Sequence, residues 1–142
     1  MQVAVLISIA AGASYWLAYA GGSSLDREGV KSSVGELRSQ AAAGRLLAEQ
    51  AGAGNLTRVF LETQSRQSLK NIESEREGLK ASSVAPEVIA PSMRASTRAR
   101  RLGDDYAALP RSCEDPKVAG ELAREFGALF SDLKSLEDWL GE

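Results

Sequence analysis

At 142 residues, 44% hydrophobic and 25% charged, the chain is about one domain long, and its net charge of −2 gives no overall positive field that would hold nucleic acid by counterion release. It has no histidine and a single cysteine, Cys113, so histidine general bases, Ser-His-Asp and Cys-His constellations, histidine-ligated metals and an internal disulfide are all ruled out. With 6% aromatic residues and Ala, Leu, Arg, Glu and Ser abundant, the vocabulary is helix-forming. The expected fold is all-α: one N-terminal transmembrane helix, then a small helical bundle or helical hairpins of about four helices.

Residues 1–24 are expected to form a membrane anchor. Val3 to Ala20 (VAVLISIAAGASYWLAYA) runs eighteen residues without a charge, and at ~1.5 Å per helical residue that just crosses a hydrocarbon layer of ~30 Å. Tyr15, Trp16 and Tyr19 gather at its C-terminal end, where amphipathic rings favour the headgroup boundary. The rival reading is a cleaved signal peptide, because Ala18-Tyr19-Ala20 before Gly21 fits a small-x-small cleavage site; against it, Met1-Gln2 supplies no basic n-region. The export-like start favours placing the C-terminal part outside the cytoplasm, in a periplasmic or other extracytoplasmic space.

Residues 25–80 read as one long helix or as two helices with a break at 51–55. Ser23 and Ser24 before Asp26 and Glu28 are a helix-start signal, and Val30, Val34, Leu37, Ala41 and Leu47 form an apolar stripe interrupted by Gly35 and Gly44. Such a stripe packs closely but is expected to stabilise weakly. Gly52, Gly54 and Asn55 mark the break, with Asn55 as the expected cap of a second helix over 56–80. That helix is polar through its middle, so it is expected to be an exposed strut or one face of a partner contact.

Residues 81–92 (ASSVAPEVIAPS) hold Pro86 and Pro91 and predict an extended linker, since residues before proline avoid the α region. Residues 93–142 predict a C-terminal helical hairpin. Its first helix starts near Ser92 and stops before Pro110, with Ala95, Ala99, Leu102, Tyr106 and Leu109 in a short heptad-like seam. Its second helix starts at Asp115-Pro116, a capping carboxylate before a proline in the first helical position, with Ser112 as a possible capping-box partner. Leu122, Phe126, Leu129, Leu133, Leu136 and Leu140 repeat at four and three, and Phe130 and Trp139 widen the stripe. This seam must be buried, either by closing a bundle or against another chain, and its residues are the candidate interaction face.

Chemical constellations are sparse. Gly52 and Gly54 lack the strand and lysine of a phosphate cradle. Glu73, Glu75 and Glu77 fall on different helix faces and predict a solvated surface, and Asp104-Asp105 with Glu114-Asp115 lack the alternating acids of a calcium loop. Arg94, Arg98 and Arg101, with Arg100 beside them, form a basic ridge facing intramolecular acids, an acidic partner, anionic lipid or plain water. The stretch from Ser112 to Glu142 is acidic by contrast, so the two can attract each other. No cofactor and no metal are expected. In an oxidising compartment Cys113 can pair with a second chain, and otherwise it is an unpaired loop thiol.

Two functional classes fit these features. One is a non-catalytic structural or accessory subunit, tethered through residues 3–20 and meeting other membrane-protein subunits or further copies of itself. The other is a secreted or periplasmic helical module that binds a small ligand. The layout of an apolar N-terminal segment, the polar helical stretch ETQSRQSLKNIESEREGLK and then VAPEVIAPSMRAS resembles the inner-membrane spanins of phage lysis systems. That resemblance implies a periplasmic helical part reaching an outer-membrane partner to drive membrane fusion, with Cys113 as a candidate intermolecular disulfide between protomers.

Overall fold

The computed structural model describes residues 24–142. Within them are four α-helices, α1 (Arg27–Gly52), α2 (Arg58–Gly78), α3 (Ile89–Ala108) and α4 (Pro116–Gly141), with a tight turn between α1 and α2, short 3-10 turns in the other two connections, and no strand. Among the described residues no helix is long and apolar enough to cross a membrane. The expected anchor over residues 3–20, with Tyr15, Trp16 and Tyr19, lies outside them.

Each helix boundary has a local cause. Asp26 caps α1 by accepting from the Gly29 N–H at 2.9 Å. This corrects the expected serine cap, and the reason is long-range. The Leu25 N–H donates to the Ser83 carbonyl and the Ala85 N–H to the Leu25 carbonyl, both at 2.8 Å, so Leu25 is held extended and the helix begins after it. α1 ends where Gly54 takes φ +78°, while the Asn55 N–H donates to the Gln50 carbonyl and the Gly54 N–H to the Ala51 carbonyl. Asn55 is thereby consumed by the end of α1, and Thr57 caps α2 instead through the Phe60 N–H.

The proline-bearing stretch is more helical than expected. Only Val84 and Ala85 remain extended, between 3-10 turns at Ala81–Ser83 and Pro86–Val88, and α3 already starts at Ile89. Pro91 is accommodated because the first turn of a helix needs no intrahelical N–H donor there. Ser92, fully buried, donates its hydroxyl to the Leu79 carbonyl at 2.6 Å and ties the start of α3 to the end of α2. At α4, Asp115 caps by accepting from the Lys117 N–H. Ser112 takes no part in that cap, because its hydroxyl donates to the Leu109 carbonyl at 2.6 Å.

The helices form an up-down-up-down bundle in which neighbours run antiparallel. Arg27 lies against Leu140, Arg38 pairs with Glu137 and Gly44 meets Phe126, which sets α4 along the full length of α1. The core joins Val30, Val34, Leu37 and Ala41 of α1, Leu61 and Ile72 of α2, Leu102 and Tyr106 of α3, and Phe126, Leu129 and Leu133 of α4. The Tyr106 and Phe126 rings meet edge-on at 5.1 Å and 66°.

The glycine interruption of α1 is a point of close approach between α1 and α4. A Cβ at residue 44 would lie 2.4 to 2.7 Å from ring atoms of the fully buried Phe126, so α1 and α4 pack through a socket that no other residue leaves open. Gly44→Ala is expected to destabilise the fold by about 1 to 3 kcal/mol, the cost of overpacking a filled core. Gly120→Ala, where a Cβ meets nothing within 4 Å, is expected to stabilise by up to ~1 kcal/mol through helix propensity. Thermal unfolding followed by circular dichroism measures both, and equal effects at the two positions would contradict the socket.

Candidate functional site

The α4 seam is consumed inside the chain. Leu122, Phe126, Leu129, Leu133 and Leu140 are buried, and Phe130 and Leu136 are half-buried against the same core. Of the expected interaction face, only Trp139 stands out from the surface, with 51% of its area exposed. What α4 offers to a partner is therefore its outer edge rather than its seam.

The basic ridge of α3 divides. Arg98 pairs with Asp132 of α4, Nε to Oδ2 at 3.2 Å. Arg94 and Arg98 together with Asp132, Ser135, Leu136 and Trp139 line an open groove of about 290 Å³ between α3 and α4. Arg101 lies near the buried Asp105, and Arg100 lines a second groove between α2 and α3 with Glu73, Arg76 and Asp104. The expected attraction between the α3 arginines and the acidic α4 is thus realised by one pair. Such exposed pairs contribute only ~0 to 1 kcal/mol, so the pair orients the helices more than it holds them.

At the end of the groove, Arg27 of α1 reaches across the C-terminus of α4. Its Nε donates to the Leu140 carbonyl at 2.7 Å and its Nη2 to the Trp139 carbonyl at 2.9 Å, while the guanidinium lies 5.4 Å from the centre of the Trp139 ring. A cation at the carbonyl end of a helix offsets the partial negative charge there and satisfies acceptors left over by the last turn. Trp139 is consequently held in place although half of it faces water.

A buried acid lies between α3 and α4, outside the sites expected from the sequence. Asp105 is only 5% exposed, and its Oδ2 has no hydrogen-bond partner. Its carboxyl is pushed up to about 7, first by burial, then by a hydrogen bond with Glu125 of α4 and by that group's charge, with Arg101 opposing. The signal was present in the spacing: Asp105 stands three residues after Leu102 and beside Tyr106, at the edge of the buried stripe. Glu75 corrects the expectation of a fully solvated acidic face. It is half-buried, and burial raises its carboxyl above the usual range against a hydrogen bond from Ser33 of α1. Glu73 and Glu77 are exposed and pair with Arg76 and Lys80.

Cys113 is half-buried at the end of the 3-10 turn Leu109–Cys113, with its Sγ 3.1 Å from the Pro110 carbonyl and no disulfide. Among the described residues no group of three or more His, Cys, Asp or Glu is placed to hold a metal ion. Comparison with known protein families, with curated proteins and with solved structures gives no match. The class that the fold and surface define is an antiparallel four-helix bundle with a buried carboxyl, Asp105, facing Glu125 between α3 and α4, and an Arg/Trp-lined groove at one end.

The buried Asp105 carboxyl is expected to make stability pH-dependent. Asp105 holds its proton more tightly folded than unfolded, so the folded state is favoured at low pH and loses that advantage as pH rises from about 4 through about 7. Asp105→Asn keeps a donor toward Glu125 and removes the titration. It is expected to raise stability at pH 8 by roughly 1 to 2 kcal/mol with a smaller change at pH 5, read from melting temperatures across that interval. An unchanged pH dependence would place the titration elsewhere.

Proposed function

We propose that this chain is a non-catalytic, membrane-tethered helical module, anchored by residues 3–20, that presents its bundle outside the cytoplasm as a structural or accessory subunit to other membrane proteins or to further copies of itself. The observation that carries the reading is the way the uncharged tract leads into the bundle. Five residues after Ala20, Leu25 is bonded to the Ser83–Ala85 strand-like segment, so a pull on the tether is borne by the fold and not by a loose tail. A closed bundle stapled at its tethered end suits a part that must be held at a set height over a bilayer.

The alternative of a small-ligand module draws on the α3–α4 groove, whose Arg94, Arg98 and Trp139 suit an anionic or aromatic compound. The groove is open and shallow for that role, with a salt bridge occupying part of it. The spanin-like layout gains nothing from the fold, because α4 returns along α1 and shortens the reach of the polar helices. Cys113 as an intermolecular bridge would need its half-buried thiol to turn outward.

Membranes containing the full chain, washed with alkaline carbonate, are expected to retain it in the pellet, and a variant lacking residues 3–20 is expected to move to the supernatant. Protease added from each face of sealed membranes is expected to reach the bundle only from outside. Release of the intact full chain by carbonate would defeat the tether.

A further inference from the structure

Four large apolar side chains face water among the described residues: Leu46, Val59, Met93 and Trp139. Leu46 stands alone in the second half of α1, and Val59 stands at the opposite end of the molecule, on the first turn of α2. Met93 and Trp139, 58% and 51% exposed, share one end, on the opening turns of α3 and the last turn of α4. It is the end where Leu25 brings the chain in.

We infer that this end of the bundle docks on the headgroup layer of a bilayer, with Trp139 at the interface and Arg94 and Arg27 beside anionic headgroups. The inference rests on residues 3–20 spanning that same bilayer. From Ala20 to Leu25 is five residues, which reach at most ~18 Å even when fully extended. Leu25 is fixed to the bundle by two backbone hydrogen bonds of 2.8 Å, so this end of the bundle is confined to the neighbourhood of the membrane surface. A lipid surface is therefore the one partner that the chain itself brings within reach.

The chemistry of the surface agrees. Tryptophan favours the headgroup boundary, where its ring is shielded and its N–H is wet, and arginine extends its charge into the phosphate layer from an apolar stem. Most nearby acids are engaged within the fold: Asp132 pairs with Arg98, Asp138 with Lys134, Glu137 with Arg38 and Glu77 with Lys80. Asp26 accepts the Gly29 N–H. Arg94 is exposed and has no carboxylate partner among the described residues. Glu28, Glu87 and Glu142 also lie toward this end and keep its net charge low, so the contact is interfacial first and electrostatic second.

The chain contains two tryptophans, Trp16 in the apolar tract and Trp139 in the bundle, which makes a clean test available. Trp16→Phe leaves Trp139 as the only reporter, and Trp139→Phe leaves Trp16. Both full-length variants are reconstituted in phosphatidylcholine vesicles, with or without phosphatidylglycerol, whose acyl chains are either plain or brominated near the headgroup. Trp139 emission is expected to shift to shorter wavelength and to be quenched by the brominated lipid. Arg94→Glu is expected to roughly halve that quenching when anionic lipid is present, with the helical circular dichroism unchanged. Quenching of Trp16 without quenching of Trp139 overturns the docking and leaves the tether standing. Absence of quenching at both overturns the tether and the docking with it. Shielding of Trp139 from aqueous iodide without quenching by brominated lipid means that protein covers this end, and also overturns the inference.

Discussion

Phe126 needs space on the face of α1, and residue 44 makes that space by having no side chain. The contact sets how near α4 can come to α1, and through the edge-on Tyr106 ring it sets where α3 lies against both. Ala41 and Ala48, on the same face one turn to either side, are fully buried and keep the approach close over two further turns. Close approach is what lets a stripe poor in large side chains hold a helix, because dispersion falls off steeply when surfaces separate. The bundle thus depends on smallness on α1 matched by bulk on α4.

The two ends of the molecule are built differently. At the far end, Arg58 of α2 pairs with Glu62 and with Glu114, exposed charges that settle the connection between α3 and α4 without burying much. At the end where the chain enters α1 the connections are backbone hydrogen bonds and a buried hydroxyl: Leu25 to Ser83 and Ala85, and Ser92 to Leu79. Hydrogen bonds shielded from water are costly to open, because each leaves an unsatisfied partner behind. The end where the chain enters α1 is the one that is stitched through its main chain.

Helix α4 was legible from spacing alone, because a four-three repeat of leucines behind Asp115-Pro116 admits one periodicity and one starting point. The starts of α1 and α3 were not, since they are set by partners distant in the chain. Leu25 is extended only because Ser83 and Ala85 meet it, and Ile89 is helical partly because Ser92 finds the Leu79 carbonyl. Local capping preference is overruled when a tertiary hydrogen bond claims the residue first. Gly44 read as a weakness in a helical stripe and is a socket, a distinction that depends on Phe126 82 residues later. The groove was partly visible in the arginine ridge, but the burial of Asp105 and the cradle around Trp139 depend on the angle at which α3 and α4 meet.

Helix α3 packs in part through small residues, Ala95 and Ala99, and it is bonded through side chains to each of its neighbours. Ser92 reaches α2, the Tyr106 hydroxyl donates to the Gln40 carbonyl of α1 at 2.6 Å, and Asp105 shares a hydrogen bond with Glu125 of α4. Apolar contact is non-directional and leaves a helix free to rotate or slide, whereas buried hydrogen bonds are satisfied at one register only. Polar stitches therefore fix what the alanine seam leaves undetermined. One of them, the Asp105 carboxyl, holds its place at the cost of a protonation state that shifts near neutrality. The Asp105 carboxyl lies where α3 meets α4, so its protonation is expected to bear on how firmly the two helices hold together.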